Sequence, residues 1–417
     1  MRKKLLLSIL VLFAVTGCSV VNQIRMRFAN DHLAAQWPDK KNDIVLSARY
    51  ISNKPHVYVE INDQEGFLFL IDSGASITYL MDSPNVAKLN LDKGFDLIAT
   101  GWGDEEDSTA YQVKVNQLGL SGVSFSDVSM AYLPVAKSPY FARPDEVVID
   151  GVLGHDVLKH FVWRFDKKQN HIEISQSAYQ PGISDTAVDF NVSMSKLSIP
   201  VEIDLGQGHI INRDVLIDTG SRHFFKLSQT FLDEESIVLD LPSVVGADFG
   251  LSGKAVHQRV TLPGIKIGQL YLENIKTNLI ETEDPDDLWI IGSAALNQYI
   301  SVLDYKQNTL FLSQYEDVQF RSQYNLLGLE LRKIISGEFV VRYVMPEMAT
   351  ASLDFKAGDL ITAINGVKSE DMSEDEWLEI SNQPGEYEIC RIRSSEQDPT
   401  CVQATSKHIE GYSKFNI

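Results

Sequence analysis

The chain has 417 residues, 44% of them hydrophobic and 23% charged, enough apolar matter for sizeable packed cores and a length that favours two or three domains over one. Its formal net charge of −20 argues against sequence-independent binding to nucleic acid, since phosphate contact needs stripes of Lys and Arg. His155, His171 and His223 are scattered without metal-ligand spacing and three Cys cannot build a thiolate cage, so no metal or cofactor is expected.

At the N-terminus, Arg2, Lys3 and Lys4 precede an apolar stretch, Leu5 to Val15, that is too short to span a bilayer, the pattern of an export signal. Val15-Thr16-Gly17-Cys18 resembles the bacterial lipobox, which implies a signal peptide over residues 1–18 and lipidation of Cys18; a plain secretory signal with a stray Cys is the alternative. The resemblance places the protein on a membrane of the bacterial cell envelope, and Ser19 rather than Asp after the Cys leans towards the outer membrane, facing the periplasm. Residues 19–43 are polar and read as a tether.

Two repeated units follow. Gly154-His155-Asp156-Val157-Leu158 through Gln176 aligns without gaps to Gly292-Ser293-Ala294-Ala295-Leu296 through Gln314, with Asp166, Lys168, Gln169 and Asn170 matching Asp304, Lys306, Gln307 and Asn308. Upstream, Val59-Glu60-Ile61-Asn62 matches Val201-Glu202-Ile203-Asp204, and each copy then runs through a turn into an apolar strand that ends in Asp-Ser/Thr-Gly. The alternating strand-and-turn pattern predicts β structure, in one lobe over 44–180 and another over 190–318, joined by the polar segment Gln180 to Asp185.

A third unit is expected over 324–410, with Ala349 to Phe355 as a helix candidate, Asn365-Gly366 as a hairpin turn, and a second helix over Glu374 to Ile380 capped by Ser373 in a Ser-x-x-Glu box. Cys390 and Cys401 flank the turn-like Ser394-Ser395-Glu396-Gln397. If Tyr387 to Arg393 and Thr400 to Thr405 are hairpin strands, the sulfurs face one another, and an exported chain favours a disulfide over two buried thiols.

The chemistry lies in Phe69-Leu70-Ile71-Asp72-Ser73-Gly74-Ala75-Ser76 and Val215-Leu216-Ile217-Asp218-Thr219-Gly220-Ser221. Peptide hydrolysis without a metal needs one carboxylate to activate water and one acid to protonate the carbonyl, and two adjacent Asp residues sharing a proton supply both. Gly74 and Gly220 permit a tight turn and close approach of substrate backbone, and Ser73 and Thr219 offer hydroxyls that can reach the opposite lobe. One such triplet alone is usually an Asx-type turn; two, at equivalent points of an independent repeat and each followed by an apolar-apolar-Gly element (Val152-Leu153-Gly154, Ile290-Ile291-Gly292), point to a site.

On these motifs, residues 44–318 resemble the aspartic peptidase clan, with lobes most like the retropepsin-type unit fused in tandem. The resemblance implies a mainly β fold of two aspartic-protease-like β barrels, catalysis by Asp72 and Asp218, an interlobe grip by Ser73 and Thr219, and flap hairpins over the cleft. The best flap candidates are Thr100-Gly101-Trp102-Gly103 with Tyr111 to Val115, and Gly246 to Gly253; Trp102 and Tyr111 are read first as packing residues. Two departures stand out: Arg222 follows the second motif, where it either holds Asp218 ionised and lowers activity or points to an acidic partner, and Ser221 replaces Ala75. A Ser221 hydroxyl bonded to Asp218 would favour its charged form and leave the shared proton on Asp72.

The third unit resembles a bacterial PDZ domain, a small α+β fold. That implies strand addition of a C-terminal peptide, with the loop Leu327, Gly328, Leu329 holding its carboxylate; because the second Gly of the best-known binders is missing, the alternative is a degenerate module that only packs on the lobes. The expected function is an aspartic endopeptidase acting on peptide or unfolded protein; the alternative is a non-catalytic lipoprotein that binds peptides through the cleft and the PDZ groove.

Overall fold

The computed structural model describes residues 20–414 except 288 and 317. The export signal and Cys18 lie outside the described residues.

Each repeat folds into an eight-stranded sheet with the same strand order, and a third sheet of six strands takes members from both. In the first lobe the antiparallel pair Lys54–Ile61 and Gln64–Ile71 delivers the motif at its end, and Gln64–Ile71 runs parallel to the short strand Gly151–Leu153 with Ile71 opposite Leu153. The second lobe repeats this: Lys196–Asp204 pairs with Ile210–Asp218, which runs parallel to Ile290–Gly292 with Asp218 opposite Gly292. The tips are apolar on both faces because both faces are covered, so Phe67 to Ile71 read as one buried run.

The gap-free part of the repeat becomes the floor between the lobes. Its hairpins, Val162–Asp166 with His171–Ser175 and Tyr299–Asp304 with Thr309–Gln314, pair with each other through Val162–Asp166 and Tyr299–Asp304. The Lys-Gln-Asn turns work the same way in both: Asp166 accepts from the Gln169 amide and Asp304 from the amides of Lys306 and Gln307, while Asn170 and Asn308 take the left-handed conformation that Asn tolerates. One apolar core, including Trp163, Phe165, Leu303 and Leu310, therefore runs from lobe to lobe.

The segment expected as a tether is not free chain over its described part. Met26 and Leu33 are buried, Asn30 exchanges hydrogen bonds with Ser129 and donates to Asp156, and Gln36 bridges to Ser124. Polar residues conceal this packing in the sequence because the anchoring contacts are side-chain amides rather than an apolar stripe.

The third unit is a sheet containing Leu329–Lys333, Phe339–Val344, Leu360–Ile364, Gly385–Ile392 and Thr400–Ser406, covered by the helix Glu374–Ser381. Ser373 and Glu376 form the expected capping box, and Asn365 and Gly366 carry the positive φ of a tight hairpin turn. Cys390 and Cys401 are opposite in the last hairpin and joined by a disulfide. Ala349 to Phe355 is not a helix: the Thr350 N–H and hydroxyl both donate to the Leu327 carbonyl, and Asp354 takes a positive φ, so the segment is a string of turns.

Two glycines are fixed by sterics rather than by flexibility. A Cβ on Gly154 would lie 2.4 Å from the Ile77 backbone and one on Gly292 2.2 Å from the His223 carbonyl, so only a bare Cα lets the motif loop fold over the strand beneath it. Gly154→Ala and Gly292→Ala are expected to lower the thermal midpoint by several degrees each, about 1–3 kcal/mol of overpacking, measured by differential scanning calorimetry; unchanged midpoints would show that the loops shift freely.

Candidate active site

The two motif loops meet at the lobe boundary and lock each other through four hydrogen bonds. The Ser73 amide donates to Thr219 Oγ1 at 3.0 Å, the Thr219 amide to Ser73 Oγ at 3.0 Å, Ser73 Oγ to the Ile217 carbonyl at 2.7 Å, and Thr219 Oγ1 to the Ile71 carbonyl at 2.8 Å. Both hydroxyls are buried, so each acts as donor and acceptor with nothing wasted on solvent.

This lock brings Asp72 and Asp218 together. Asp72 Oδ1 accepts from the amides of Gly74 and Ala75 at 2.8 and 3.1 Å; Asp218 Oδ1 accepts from Gly220 and Ser221 at 2.9 and 3.0 Å. A Cβ on Gly74 would lie 2.8 Å from the Asp218 carboxyl carbon, and one on Gly220 2.3 Å from that of Asp72, so each motif glycine makes room for the opposite carboxylate. Burial first, and the adjacent Asp218 second, push the Asp72 carboxyl up to about 7, with the Lys196 ammonium pulling the other way. Burial and the adjacent acid thus favour a protonated Asp72 near neutrality, and the Ser221 hydroxyl is not among the causes. Ser221 Oγ has no hydrogen-bond partner among the described residues, and only the Ser221 amide reaches Asp218.

Lys196, at the start of Lys196–Asp204, donates to the Gly74 carbonyl and lines the same cavity as the two Asp residues. Nothing in the repeat pattern announces it; the only signal is a Lys at the start of an otherwise apolar strand. Tyr79 lines the same cavity and Tyr305 lies near Asp72; burial raises both phenols, with Asp72 adding to each and Asp218 to Tyr79.

The cavity above the dyad measures about 1440 Å³ and is roofed by both flap candidates. Residues 100–108 meet the turn 250–253 across the lobes: Glu105 N–H donates to the Ser252 carbonyl at 2.8 Å, Ser252 N–H to the Trp102 carbonyl at 3.0 Å, and Ser108 Oγ to the Leu251 carbonyl at 2.8 Å. Trp102 packs edge-on against His257 with the Lys226 ammonium 4.5 Å from its ring. Tyr111 takes a hydrogen bond from Lys137 on the outer side of its hairpin and is not part of the cavity wall.

Arg222 turns to an acidic partner within the chain. Its guanidinium donates to Glu330 Oε2 at 2.7 Å, and the other Glu330 oxygen accepts from Arg259 Nη1 at 2.7 Å. Glu330 belongs to the edge strand Leu329–Lys333, so the third unit reaches the cavity wall, with Leu331 and Arg332 beside it. In the loop expected to hold a peptide carboxylate, Leu327 and Leu329 are fully buried, the Gly328 amide donates to Asn325 Oδ1 at 2.8 Å, and a Cβ on Gly328 would lie 2.3 Å from Met348 Cβ. The Gly328 amide is thus turned to Asn325 in this structure.

The pH dependence of stability carries a signature of the buried pair. A carboxyl raised from 3.8 to about 7 favours the folded state fully below its unfolded pKa and progressively less as pH rises through about 7. Asp72→Asn removes that loss, so its thermal midpoint is expected to equal that of the parent near pH 4 and to exceed it at pH 7.5; a pH-independent difference would contradict the assignment.

Among known proteins, residues 57–157 match the family model described as aspartyl protease, and residues 317–390 match the PDZ domain model. The first match spans the Asp72 motif and ends before the second lobe. The fold is similar to the crystal structure of an aspartic proteinase from Irpex lacteus, 14% identical, with a TM-score of 0.43 over 66% of this chain and 98% of that one. A search of curated proteins finds no match. The chain therefore carries an aspartyl protease domain and a C-terminal PDZ domain.

Proposed function

We propose that the protein is an aspartic endopeptidase that hydrolyses extended peptide or unfolded protein through a water shared by Asp72 and Asp218. The observation that carries this is the reciprocal Ser73–Thr219 lock, which holds two carboxyls, one from each lobe, against each other under a covered cavity. A pure binding cleft has no physical need for a buried like-charged pair, which costs stability at neutral pH.

In the proposed mechanism Asp218 takes a proton from water as the water oxygen bonds to the peptide carbonyl carbon. Asp72 gives its proton to the carbonyl oxygen. The tetrahedral intermediate then collapses: the C–N bond breaks, a proton passes to the leaving nitrogen, and the pair regains one shared proton. Loading a chain beneath the roof requires the hydrogen bonds between 100–107 and 250–253 to part, and reclosing excludes water. An extended substrate in this cavity lies beside Leu331 and Arg332 of the PDZ edge strand, which gives that domain a part in substrate binding without the carboxylate loop.

Incubation of the chain lacking residues 1–18 with a mixed peptide library tests this. Cleavage read by mass spectrometry is expected between about pH 4 and about pH 7, falling as the shared proton is lost, and reduced by at least about 1,000-fold in Asp72→Asn and in Asp218→Asn. Retention of peptides without cleavage at any pH would favour the binding module instead.

The proposal extends to location: a lipid anchor at Cys18 on the bacterial envelope, on the periplasmic face of the outer membrane. The Cys390–Cys401 disulfide supports an oxidising compartment. Residues 20–27 are helical, and Val20, Val21, Ile24 and the following Phe28 expose apolar side chains just after Cys18, as a segment held at a lipid surface would. Membrane fractionation is expected to retain the parent and release Cys18→Ala, with acyl mass on Cys18; soluble parent protein without that mass would reject the anchor.

A further inference from the structure

The Arg222–Glu330 pair joins the catalytic loop to a different domain, and it deepens the proposed peptidase reading. Arg222 lies four residues after Asp218 and lines the cavity that contains both Asp residues. On its own it would be an unpaired, partly buried cation on the wall of that cavity, where the surrounding protein screens charge less than bulk water does. What occupies it is Glu330, a buried carboxylate from the PDZ edge strand, and Glu330 is held in turn by Arg259 from the flap-bearing hairpin.

The pair sits in a wider buried network. Arg259 also donates to Asp248 Oδ1 at 3.1 Å and to the Ala247 carbonyl at 2.9 Å, and Asp248 takes His223 Nε2 at 2.9 Å and Lys226 at 3.2 Å. Burial alone would raise the Glu330 carboxyl, but Arg259 and Arg222 hold it below its ordinary value. Burial also keeps His223 and His257 neutral, at about 3 and about 4, and brings Lys276 down to about 7. The domain is fixed in place by contacts independent of Glu330: the amides of Ser52 and Asn53 donate to Asp375 at 2.9 and 3.2 Å, the Ile335 amide donates to the Asp145 carbonyl at 2.8 Å, and Arg342 lies 3.7 Å over the Phe249 ring.

We infer that Glu330 is a positioning residue for the dyad: the PDZ domain lends a carboxylate that holds the Arg222 guanidinium away from Asp218, so that the pair can keep its shared proton. Without Glu330, Arg222 turns into the cavity and forms an ion pair with Asp218. A second cation beside the pair favours its doubly ionised form, and an aspartic dyad without its proton has no acid to give to the carbonyl oxygen. The PDZ domain is then a structural member of the active site, and any ligand that displaces its edge strand from Arg222 turns the enzyme down.

The experiment follows the dyad's proton directly, so that it does not depend on cleavage. Carboxyl carbons of 13C-labelled aspartate are titrated by NMR in the chain lacking residues 1–18, in its Glu330→Gln variant, and in Arg222→Gln with and without Glu330→Gln, beside pH profiles for cleavage of fluorescently labelled casein. The groups that face Glu330 are Arg222, Arg259, Asp248, His257, Lys276, Tyr343 and Tyr412; those that face the dyad are Lys196, Tyr79 and Tyr305, and none of these but Arg222 is altered. Glu330→Gln is expected to lower the pair's upper midpoint by about one to three pH units and to move the alkaline limb of cleavage down with it. The double variant returns the midpoint to that of Arg222→Gln. If Glu330→Gln does not fold, Glu330→Asp, one methylene shorter with its charge kept, is expected to shift the midpoint in the same direction by less. Unchanged midpoints, or a shift in Glu330→Gln that Arg222→Gln fails to reverse, would overturn the inference. A parent that titrates as expected but cleaves no casein would count against the peptidase reading alone.

Discussion

Everything chemical in this molecule depends on two buried hydroxyls. Ser73 and Thr219 each stand one residue after an Asp and bond to the opposite lobe, so the same four hydrogen bonds that join the lobes also fix the spacing of the carboxylates. The price of placing two acids in contact is repulsion and desolvation, and the lock sets that cost against hydrogen bonds that exist only when both loops are in place. The parallel strands Gly151–Leu153 and Ile290–Gly292 hold each loop from below, and the six-stranded floor holds the lobes to one another.

The third domain is not an independent bead on the chain. Its helix receives a β-turn of the first lobe through Asp375, its edge strand gives Glu330 to two arginines of the second lobe, and its Arg342 packs on a flap residue. A buried ion pair is weak evidence for stability, because desolvation cancels much of the attraction. Its value here is specificity of placement: Glu330 is satisfied only when both Arg222 and Arg259 are in register. The domain therefore bears on the cleft through the charge it brings, whatever its groove binds.

Much of this was legible in the sequence, and the reasons are physical. The two Asp motifs, the apolar-apolar-Gly elements and the Lys-Gln-Asn turns are set by short-range sterics and hydrogen bonding, so the repeat exposes them twice. Asn365-Gly366 and the Ser373 box are local in the same sense. The helix wrongly expected over Ala349 to Phe355 failed because a long-range bond from Thr350 to Leu327 outcompeted local propensity. The packed segment after residue 20, Lys196 beside Asp72, and the partner of Arg222 were not legible, since each depends on residues more than 90 positions apart brought together by the fold. The sequence admitted two readings of Arg222; only the tertiary arrangement supplies Glu330.

The claim at the centre of this account is that the cleft recognises the tetrahedral state of a peptide bond through both carboxyls at once. The most direct measurement is calorimetric binding of a peptide whose scissile amide is replaced by a hydroxyethylene group, compared with the parent peptide. The account predicts that the hydroxyl analogue binds at least about 100-fold more tightly than the parent amide and that Asp72→Asn and Asp218→Asn each abolish that advantage. Equal affinity for analogue and amide, unchanged in either variant, would mean that the cleft holds peptides without acting on them.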